Sequence, residues 1–342
     1  MAWREALGER FDVPDGYLNT ASIGIPSGSV ADAVAGAVGE WRRGDARPPQ
    51  YDKDVAAART GWARLIGVAP DRVASGASVS QLVGLVAASV PDGTRVLTVG
   101  NEFTSATFPF AAQHKRGVTV TEVPPDRLID AADGHDLVAV SVVQSADGAI
   151  VDLGALRDTN TPVLLDATQA VGWLPMDLDW AEYVVGGSYK WLFAPRGAAW
   201  LAVHPDAPPL VPHVANWYGG EDPWDTVYGL PLRLADGPRG LDLSPVWFSQ
   251  VGAAAATEWL AGLDLTRVRD HCAGLADTVR TELGYPATGS AIVSVDLTDH
   301  QVERLGQAGV VSSVRAGRTR LSFHLYNTED DVDRVLGAVA SR

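Results

Sequence analysis

Two stretches near the middle of the chain decide the fold: VLLDATQAVG at residues 163–172 and YVVGGSYKWL at residues 183–192. Each begins with an unbroken apolar run and continues directly into small, polar or charged residues. An unbroken apolar run, unlike an alternating one, is typical of a strand whose sheet is covered by helices on both faces. The stretches therefore predict two buried strands, with Asp166 and Lys190 at or just beyond their carboxyl ends.

The same rhythm continues on both sides of these strands. Short β-rich runs alternate with helical stretches, which is the pattern of repeated βαβ units and predicts an α/β fold. The β-rich runs N-terminal to the two stretches occupy residues 72–76, 95–100, 118–123 and 137–143. Helical stretches are predicted at residues 29–41, 52–65, 246–262 and 264–283. The last part of the chain has a β-α-β order and a closing helix, so we expect a large α/β domain at residues 16–255 and a small α+β domain formed by residues 1–15 and 256–342.

Composition excludes several classes of protein. The 342 residues include Asp+Glu 42 and Lys+Arg 27, a formal net charge of -15 that disfavours binding to nucleic acid or anionic membranes. No run approaches the ~20 consecutive apolar residues that a bilayer span needs. The single cysteine, Cys272, excludes an internal disulfide framework, and the opening segment lacks the apolar core of a secretory signal. We expect a cytoplasmic protein with no nucleic-acid and no membrane partner.

Four positions at the ends of apolar runs are candidates for ligand binding, because open α/β sheets bind ligands at the carboxyl ends of their strands. The first is SGAS at residues 75–78, where small side chains before a helix let backbone N–H groups approach a phosphate. An ordinary N-cap and tight turn would have the same sequence. The second is Phe103, whose ring can stack on a planar ligand or pack in the core.

The other two candidates carry charge. Asp166 is costly to bury unless paired, for which a protonated heterocyclic nitrogen is suitable, although a helix cap is the alternative. Lys190 lies between Tyr189 and Trp191, where desolvation turns an amine into a Schiff-base nucleophile, although a snorkelling lysine is the alternative. Together the four positions offer the groups that pyridoxal 5'-phosphate needs for its phosphate, ring face, pyridine nitrogen and aldehyde. No glycine fingerprint of a nicotinamide or P-loop site accompanies them, which disfavours an α/β oxidoreductase.

Five motifs, taken in order, resemble a known family. SGAS, NEF, DATQAVG, GGSYKWL and RTRLSFHLYNTEDDVD resemble the class V aminotransferase family of fold-type I pyridoxal phosphate enzymes, which includes cysteine desulfurases, selenocysteine lyases, kynureninases and isopenicillin N epimerases. The resemblance runs through nearly the whole chain. It implies a mainly parallel seven-stranded sheet between helices, with a smaller α+β C-terminal domain. It also implies a homodimer with active sites at the subunit interface.

The resemblance further implies roles for individual residues. Lys190 is the catalytic residue and bonds to the cofactor aldehyde, Asp166 pairs with the pyridine nitrogen, and Phe103 stacks on the ring. Gln169 hydrogen-bonds the ring oxygen, and Arg320 falls where the family clamps the substrate carboxylate, although a salt bridge at the strand edge is its alternative. The remaining cofactor-binding candidates are Gly76, Ala77, Ser78, Ser188, Tyr189 and, from the second subunit, Ser244. The remaining substrate-binding candidates are Arg315, Ser145, Trp217 and Tyr218.

Departures from the family narrow the expected function. Desulfurases carry a nucleophilic cysteine in a loop of the C-terminal region, whereas only Ala-Gly-Arg-Thr separates Arg315 from Arg320 here. Phe103 replaces the histidine that desulfurases use as ring plate and proton shuttle, which leaves Lys190 as the main acid and base. Ser145 stands about where desulfurases tend to have asparagine. Persulfide formation is therefore disfavoured, and no metal site is expected.

The resemblance favours a β-eliminating carbon–sulfur lyase that acts on an α-amino acid, of the hercynylcysteine sulfoxide lyase or cysteine lyase type and without a persulfide cysteine. A trimethylammonium substrate would suit cation–π contacts with the aromatic residues of one loop, although such residues also pack at dimer interfaces. These aromatic residues are Trp217, Tyr218, Trp224 and Tyr228. Transamination and epimerisation begin with the same loss of the Cα proton and are alternatives. A more distant alternative is a non-catalytic protein that keeps the fold in order to bind a ligand or a partner.

Overall fold

The computed structural model describes residues 3–340. A short hairpin of β1 (Arg4–Ala6) and β2 (Glu9–Phe11) precedes the central sheet. The strands of the central sheet are β3 (Val73–Gly76), β4 (Arg95–Val99), β5 (Thr119–Val123), β6 (Leu137–Ser141), β7 (Val163–Asp166), β8 (Tyr183–Gly187) and β9 (Ala199–Val203). Their spatial order is β3-β9-β8-β7-β6-β4-β5, with β4 to β8 parallel. The fold is therefore the expected mainly parallel, seven-stranded α/β architecture.

Helices surround this sheet. The first six are α1 (Gly28–Arg43), α2 (Asp52–Leu65), α3 (Val79–Ser89), α4 (Thr104–Ala111), α5 (Leu128–Ala132) and α6 (Leu153–Arg157). The C-terminal four are α7 (Trp247–Leu260), α8 (Leu265–Glu282), α9 (Asp299–Gln307) and α10 (Glu329–Ala340). The helices predicted at residues 29–41, 52–65, 246–262 and 264–283 correspond to α1, α2, α7 and α8 within two residues at each end.

Neighbouring residues of the central strands belong to two different cores. Leu165 and Trp200 pack in the core that includes Trp62 of α2, whereas Leu164 and Leu201 pack in the core of α3 and α4. Both faces of β7 and β9 are thus buried, which explains why the sequence runs are continuously apolar.

Strand β9 is the part of the central sheet that sequence reasoning missed. It runs antiparallel to both β8 and β3, and the segment between β8 and β9 contains no helix. The last helical crossover is α6, between β6 and β7, since the connection from β7 to the parallel strand β8 also contains no helix. After β8 the chain turns back through residues 188–198, and this turn carries Lys190.

The C-terminal region has its own three-stranded antiparallel sheet. Its strands are β10 (Ile292–Val295), β11 (Ser313–Arg315) and β12 (Arg318–Ser322), with β12 in the centre. Val279 of α8, Leu321 of β12 and Val335 of α10 share its core with Leu18 from the N-terminal segment. The expected division after residue 255 falls inside α7, which packs along α1 and α2, and the two-domain division stays a prediction. Within residues 3–340, no helix is both long and apolar enough to cross a bilayer.

Candidate active site

A cavity of about 180 Å³ lies at the carboxyl edge of the central sheet. It collects candidates from five separate parts of the sequence, as expected if ligands bind at the strand ends. The predicted site residues that line it are Ala77, Ser78, Phe103, Ser145, Asp166, Gln169, Tyr189 and Lys190. Other lining residues, which sequence reasoning missed, include Ser80, Ser141, Thr168 and Arg196.

Lys190 lies in the turn after β8 and is 5% exposed. Its Nζ is 5.2 Å from the centre of the Phe103 ring and 5.6 Å from that of Tyr189. Burial lowers the pKa of Lys190 to about 8, against the opposing attraction of Asp166, and Arg320 adds to the lowering by repulsion. The neutral fraction of the amine, which is the nucleophilic and basic form, is therefore much larger at mildly alkaline pH than that of an ordinary lysine.

Asp166 is the last residue of β7 and lies between Ser141 of β6 and Val185 of β8 in the sheet. Its Oδ1 accepts a hydrogen bond from the Thr168 N–H at 2.9 Å. Burial raises the pKa of Asp166, with the Thr168 hydrogen bonds and the Lys190 charge acting in the opposite direction. A cationic partner within the cavity would stabilise the carboxylate, as the predicted pyridine nitrogen would.

Phe103 is held by its neighbour Glu102, a residue that sequence reasoning missed. The buried Glu102 carboxylate accepts hydrogen bonds from the Ser141 N–H and hydroxyl, the Gln144 amide and the Phe103 N–H, at 2.6 to 2.8 Å. These four donors tie the loop after β4 to the carboxyl end of β6, so the backbone that carries the Phe103 ring is held in place beside Lys190. The signal in the sequence was a lone acidic residue directly after an apolar strand.

The predicted phosphate site lies where β3 meets α3. Ser78 is the N-cap of α3, and its hydroxyl accepts from the Gln81 N–H at 3.4 Å. A Cβ at Gly76 would lie 2.7 Å from both Gln81 and Leu82, so only glycine lets the strand approach the helix this closely. The Ala77 N–H donates to Gln81 Oε1, while Gln81 Nε2 is buried without a hydrogen-bond partner. An anion here would meet the N-terminus of α3 and an unsatisfied donor close by.

Gln169 and Ser145 form one hydrogen-bonded unit. Gln169 Nε2 donates to Ser145 Oγ at 2.9 Å and to Ala21 O at 3.1 Å, and its Oε1 accepts from the Trp191 indole at 2.7 Å. Both amide hydrogens of Gln169 therefore have protein partners, and the predicted bond to a ring oxygen would have to replace one of them.

Arg320 is 2% exposed and reaches the same unit from β12. Its Nη1 donates to Ser145 O at 2.5 Å and Ser145 Oγ at 3.1 Å, and its Nη2 donates to Ser22 Oγ at 2.8 Å. No ion pair with a carboxylate involves Arg320 within residues 3–340, so the salt bridge considered as its alternative role is not found there. Burial, together with repulsion from Arg315, lowers the pKa of Arg320 to about 10. Ser22 was not foreseen from the sequence.

Seven of the predicted residues do not line the cavity: Gly76, Ser188, Trp217, Tyr218, Ser244, Arg315 and Arg320. Ser188 is fully buried and its hydroxyl donates to Pro195 O at 2.7 Å, where it closes the Lys190 turn instead of facing the cavity. The side chain of Tyr218 donates to Asp52 at 3.1 Å, and Trp217 packs against Tyr218, so neither lines this cavity. Ser244 is exposed and lies outside the cavity lining of its own chain.

His324 and Cys272, to which no role was assigned, lie behind the site. His324 Nε2 is 2.9 Å from Trp191 O, and its ring stacks on Phe193 at 4.1 Å. Burial lowers the pKa of His324 to about 3, so it is a neutral packing residue. Cys272 is buried against His324 at 3.8 Å, and burial raises the pKa of its thiol. Within the described chain no cluster of three or more His, Cys, Asp or Glu side chains is arranged to hold a metal.

The donor set of the cavity fits pyridoxal 5'-phosphate. A buried amine, a carboxylate, an aromatic ring and the N-terminus of α3 line one cavity. Fold and site together define a fold-type I pyridoxal phosphate enzyme. The sequence matches the profile described as Aminotransferase class-V over residues 42–335, and the chain belongs to this family, whose cofactor is pyridoxal 5'-phosphate.

Relatives and solved structures agree on family and fold. The chain is 26% identical to a protein named uncharacterized aminotransferase YcbU from Bacillus subtilis, over 83% of each chain. It is 28% identical to isopenicillin N epimerase of Amycolatopsis lactamdurans, over 82% of this chain and 83% of that one. It superposes on the cystine C-S lyase C-DES in complex with cysteine persulfide with a TM-score of 0.82 and 18% identity, covering 96% and 98% of the two chains. It superposes on an apo cysteine desulfurase from Thermococcus onnurineus with a TM-score of 0.80 and 19% identity, covering 94% and 93%.

Proposed function

We propose that this chain is a lyase that breaks the Cβ–S bond of a cysteine derivative, without forming a persulfide on a cysteine of its own. The observation that carries the proposal is the Lys190 amine, which is buried and has a pKa lowered to about 8 by that burial, in a cavity with no cysteine in its lining. A base whose pKa lies near the working pH is well suited to take up and return a proton.

The residues around the cavity have complementary roles in this proposal. Arg320 binds the α-carboxylate of the substrate, since its planar guanidinium has open donors and no acidic partner within residues 3–340. Asp166 pairs with the ring nitrogen, and Phe103 packs on the ring. Pyridoxal phosphate, when bound, accepts the electron pair that remains at Cα when the proton leaves. Lys190 Nζ takes that proton, sulfur leaves from Cβ, and water converts the remaining carbon skeleton into pyruvate and ammonia.

Two observations favour elimination without a protein persulfide. Cys272 is fully buried behind Trp191 and His324, and its thiol does not border the cavity. A protein described as a cystine C-S lyase has the same fold, which is an analogy of fold and supports the reaction type only to that extent.

Transamination and epimerisation form the second candidate function. Relatives at 26% and 28% identity are named as an aminotransferase and as an epimerase. Both reactions use the same proton transfer at Lys190 and differ only in where the proton is returned, so the same residues serve them.

The proposal includes a homodimer with active sites at the subunit interface and a location in the cytoplasm. Phe103 is 43% exposed although it faces Lys190, and a second subunit over this edge would bury it. Leu243 donates to Ser75 O at 2.9 Å, so the neighbouring Ser244 lies at the same end of β3 as the phosphate site. Sedimentation velocity is expected to give twice the mass of one chain; a fully active monomer would contradict this part of the proposal.

The test of the reaction is an incubation of the cofactor-loaded protein with cysteine S-conjugates and their sulfoxides. Pyruvate and ammonia in equal amounts are expected, with no pyruvate from Lys190→Ala. Cys272→Ser is the matched control and is expected to keep full activity, because the thiol lies outside the cavity. Accumulation of the pyridoxamine form without pyruvate would establish a transaminase, loss of optical activity an epimerase, and dependence on Cys272 a desulfurase.

A further inference from the structure

Arg315 and Arg320 converge on one hydroxyl group. Nη2 of Arg320 lies 2.8 Å from Ser22 Oγ, and Nη2 of Arg315 lies 3.4 Å from the same atom. Neither guanidinium forms an ion pair with a carboxylate within residues 3–340, although their neighbour Arg318 is paired with Asp296 at 3.2 Å. Two positive charges held this close repel each other, and an anion between or beside them would remove that repulsion.

The Ser22 hydroxyl, where the two guanidiniums meet, belongs to a segment that is bound to the backbone of the Lys190 turn. The Ala21 N–H donates to Ser322 Oγ at 3.0 Å and the Gly24 N–H donates to Tyr189 O at 2.9 Å, so Ser22 is held between β12 and the Lys190 turn. A Cβ at Gly24 would overlap the carbonyl oxygen of Lys190, so only glycine permits this close approach. The two guanidiniums therefore meet at a point that is anchored to the backbone of the Lys190 turn.

The proposed reaction leaves one of the three arginines near Lys190 without an assigned anion. Arg196 lines the cavity with the phosphate site, and Arg320 is assigned to the α-carboxylate. Arg315 then has no anion, although it is close enough to lower the pKa of Arg320. The cluster of arginines near Lys190 is not a consequence of the overall composition, because the whole chain has a formal net charge of -15.

We infer that Arg315 binds a second anionic group, located on the substrate side chain, so that the enzyme acts on cysteine conjugates whose sulfur substituent ends in a carboxylate or a similar oxyanion. The inference rests on the proposed function, in which Arg320 holds the α-carboxylate. Arg315 is the exposed last residue of β11 and Arg320 is buried, so the second anion lies nearer the protein surface than the α-carboxylate. A bidentate guanidinium–carboxylate contact suits this geometry.

The experiment uses two acids that lack the amino group and so cannot react: 3-(carboxymethylthio)propanoic acid and its amide, 3-(carbamoylmethylthio)propanoic acid. Isothermal titration calorimetry on the cofactor-loaded wild type is expected to give about tenfold tighter binding of the diacid, the order of one exposed charge-assisted contact. In Arg315→Gln the ratio falls to about one while the dissociation constant of the amide stays unchanged. Arg318→Gln, at the first residue of β12, is the matched control and keeps the wild-type ratio.

Other outcomes would overturn the inference. Equal binding of the two acids by the wild type, or no measurable binding of the diacid, would exclude a second anion site. Equal weakening of both acids by Arg315→Gln would assign Arg315 to the shared carboxylate or to the fold. Since neither acid reacts, these results are independent of pyruvate formation, and failure of the proposed lyase reaction remains distinguishable. Arg320→Gln is expected to weaken both acids alike.

Discussion

Two buried arginines of this protein have opposite surroundings. Arg59 of α2 is 7% exposed and donates to Asp242, a fully buried carboxylate, at 2.5 Å. Arg320 is 2% exposed and donates only to Ser145 and Ser22, with no carboxylate within residues 3–340. A buried charge is stabilised when the protein itself supplies the counter-charge. The comparison teaches that Arg59 serves the fold, whereas Arg320 is kept for an anion that comes from outside.

The Arg59–Asp242 pair nevertheless affects the site from a distance. Asp242 Oδ1 also accepts from the Ser75 N–H at 2.8 Å, and Leu243 donates back to Ser75 O. Through these bonds the ion pair fastens the end of β3 to the segment that carries Ser244. Asp242 also forms an ion pair with the partly exposed Arg239 at 3.3 Å, so the phosphate site and the proposed contribution to the second subunit depend on this one carboxylate.

The largest effect is expected from breaking the Arg59–Asp242 pair. Asp242→Asn keeps the volume but leaves Arg59 charged and without its counter-charge, which is expected to lower the free energy of unfolding by roughly 3–5 kcal/mol. Urea unfolding followed by circular dichroism measures the change. The double variant Arg59→Met with Asp242→Asn removes the uncompensated charge and is expected to be more stable than Asp242→Asn alone. A single variant as stable as the wild type would show that Arg59 does not need its partner.

The second expected effect concerns Arg320, whose replacement is expected to lower activity and not stability. Arg320→Gln is expected to lower kcat/KM by about 100-fold, or about 3 kcal/mol, because the substrate carboxylate loses a charged, bidentate partner. The free energy of unfolding is expected to stay the same or rise, because no counter-charge is left unpaired. Arg320→Lys is the control and keeps part of the activity, since it retains the charge and loses the planar geometry. If Arg320→Gln instead lowered the free energy of unfolding and left kcat/KM unchanged, Arg320 would be a structural residue like Arg59.

Sequence reasoning predicted those parts of the molecule that depend on local pattern. The continuous apolar runs of β6, β7 and β8 identified strands buried on both faces, and the strand-end rule then placed Asp166 and Lys190 in one cavity. β9 was missed because the chain reverses direction without a helix, which no hydrophobic period reveals. Strand β11 has only three residues, too few for an alternating pattern.

Contacts between distant parts of the chain could not be read from the sequence. Ser22 meets Arg320 across 298 positions, and Glu102 meets Ser141 through packing of separate strands. Ser22 has no local signature, and the acidic side chain of Glu102 after the apolar run of β4 does not reveal its partners. Tyr218 was wrongly predicted to bind the substrate. The sequence shows that a loop is rich in aromatic residues but not which way each side chain points, and the Tyr218 hydroxyl donates to Asp52 instead of facing the cavity. The charge on a side chain was visible in the sequence, but its pairing was not.

The smallest expected effect is the pH dependence that burial of Lys190 gives to the cofactor-free protein. Its pKa is lowered by burial to about 8, whereas an unfolded lysine has a pKa of about 10.4. Between these values the unfolded chain binds more protons than the folded chain, so the free energy of unfolding rises with pH; below about 8 both states are protonated and the cost of burying the charge is fully present. The gain across the window is expected to be on the order of 1–3 kcal/mol.

Urea unfolding of the cofactor-free protein at a series of pH values from 7 to 10.5 measures this gain, with Lys190→Met as the control that has no amine to titrate. The wild type is expected to gain stability relative to Lys190→Met as the pH rises through the window, and parallel curves would contradict a lowered pKa. The same measurement on Arg320→Gln tests whether the two arginines affect the pKa of Lys190 differently. Because the unneutralised Arg320 charge contributes to lowering the pKa of Lys190, its removal is expected to move the lower edge of the window upward. Removal of the compensated Arg59 charge, in the double variant with Asp242→Asn, is expected to leave that edge in place.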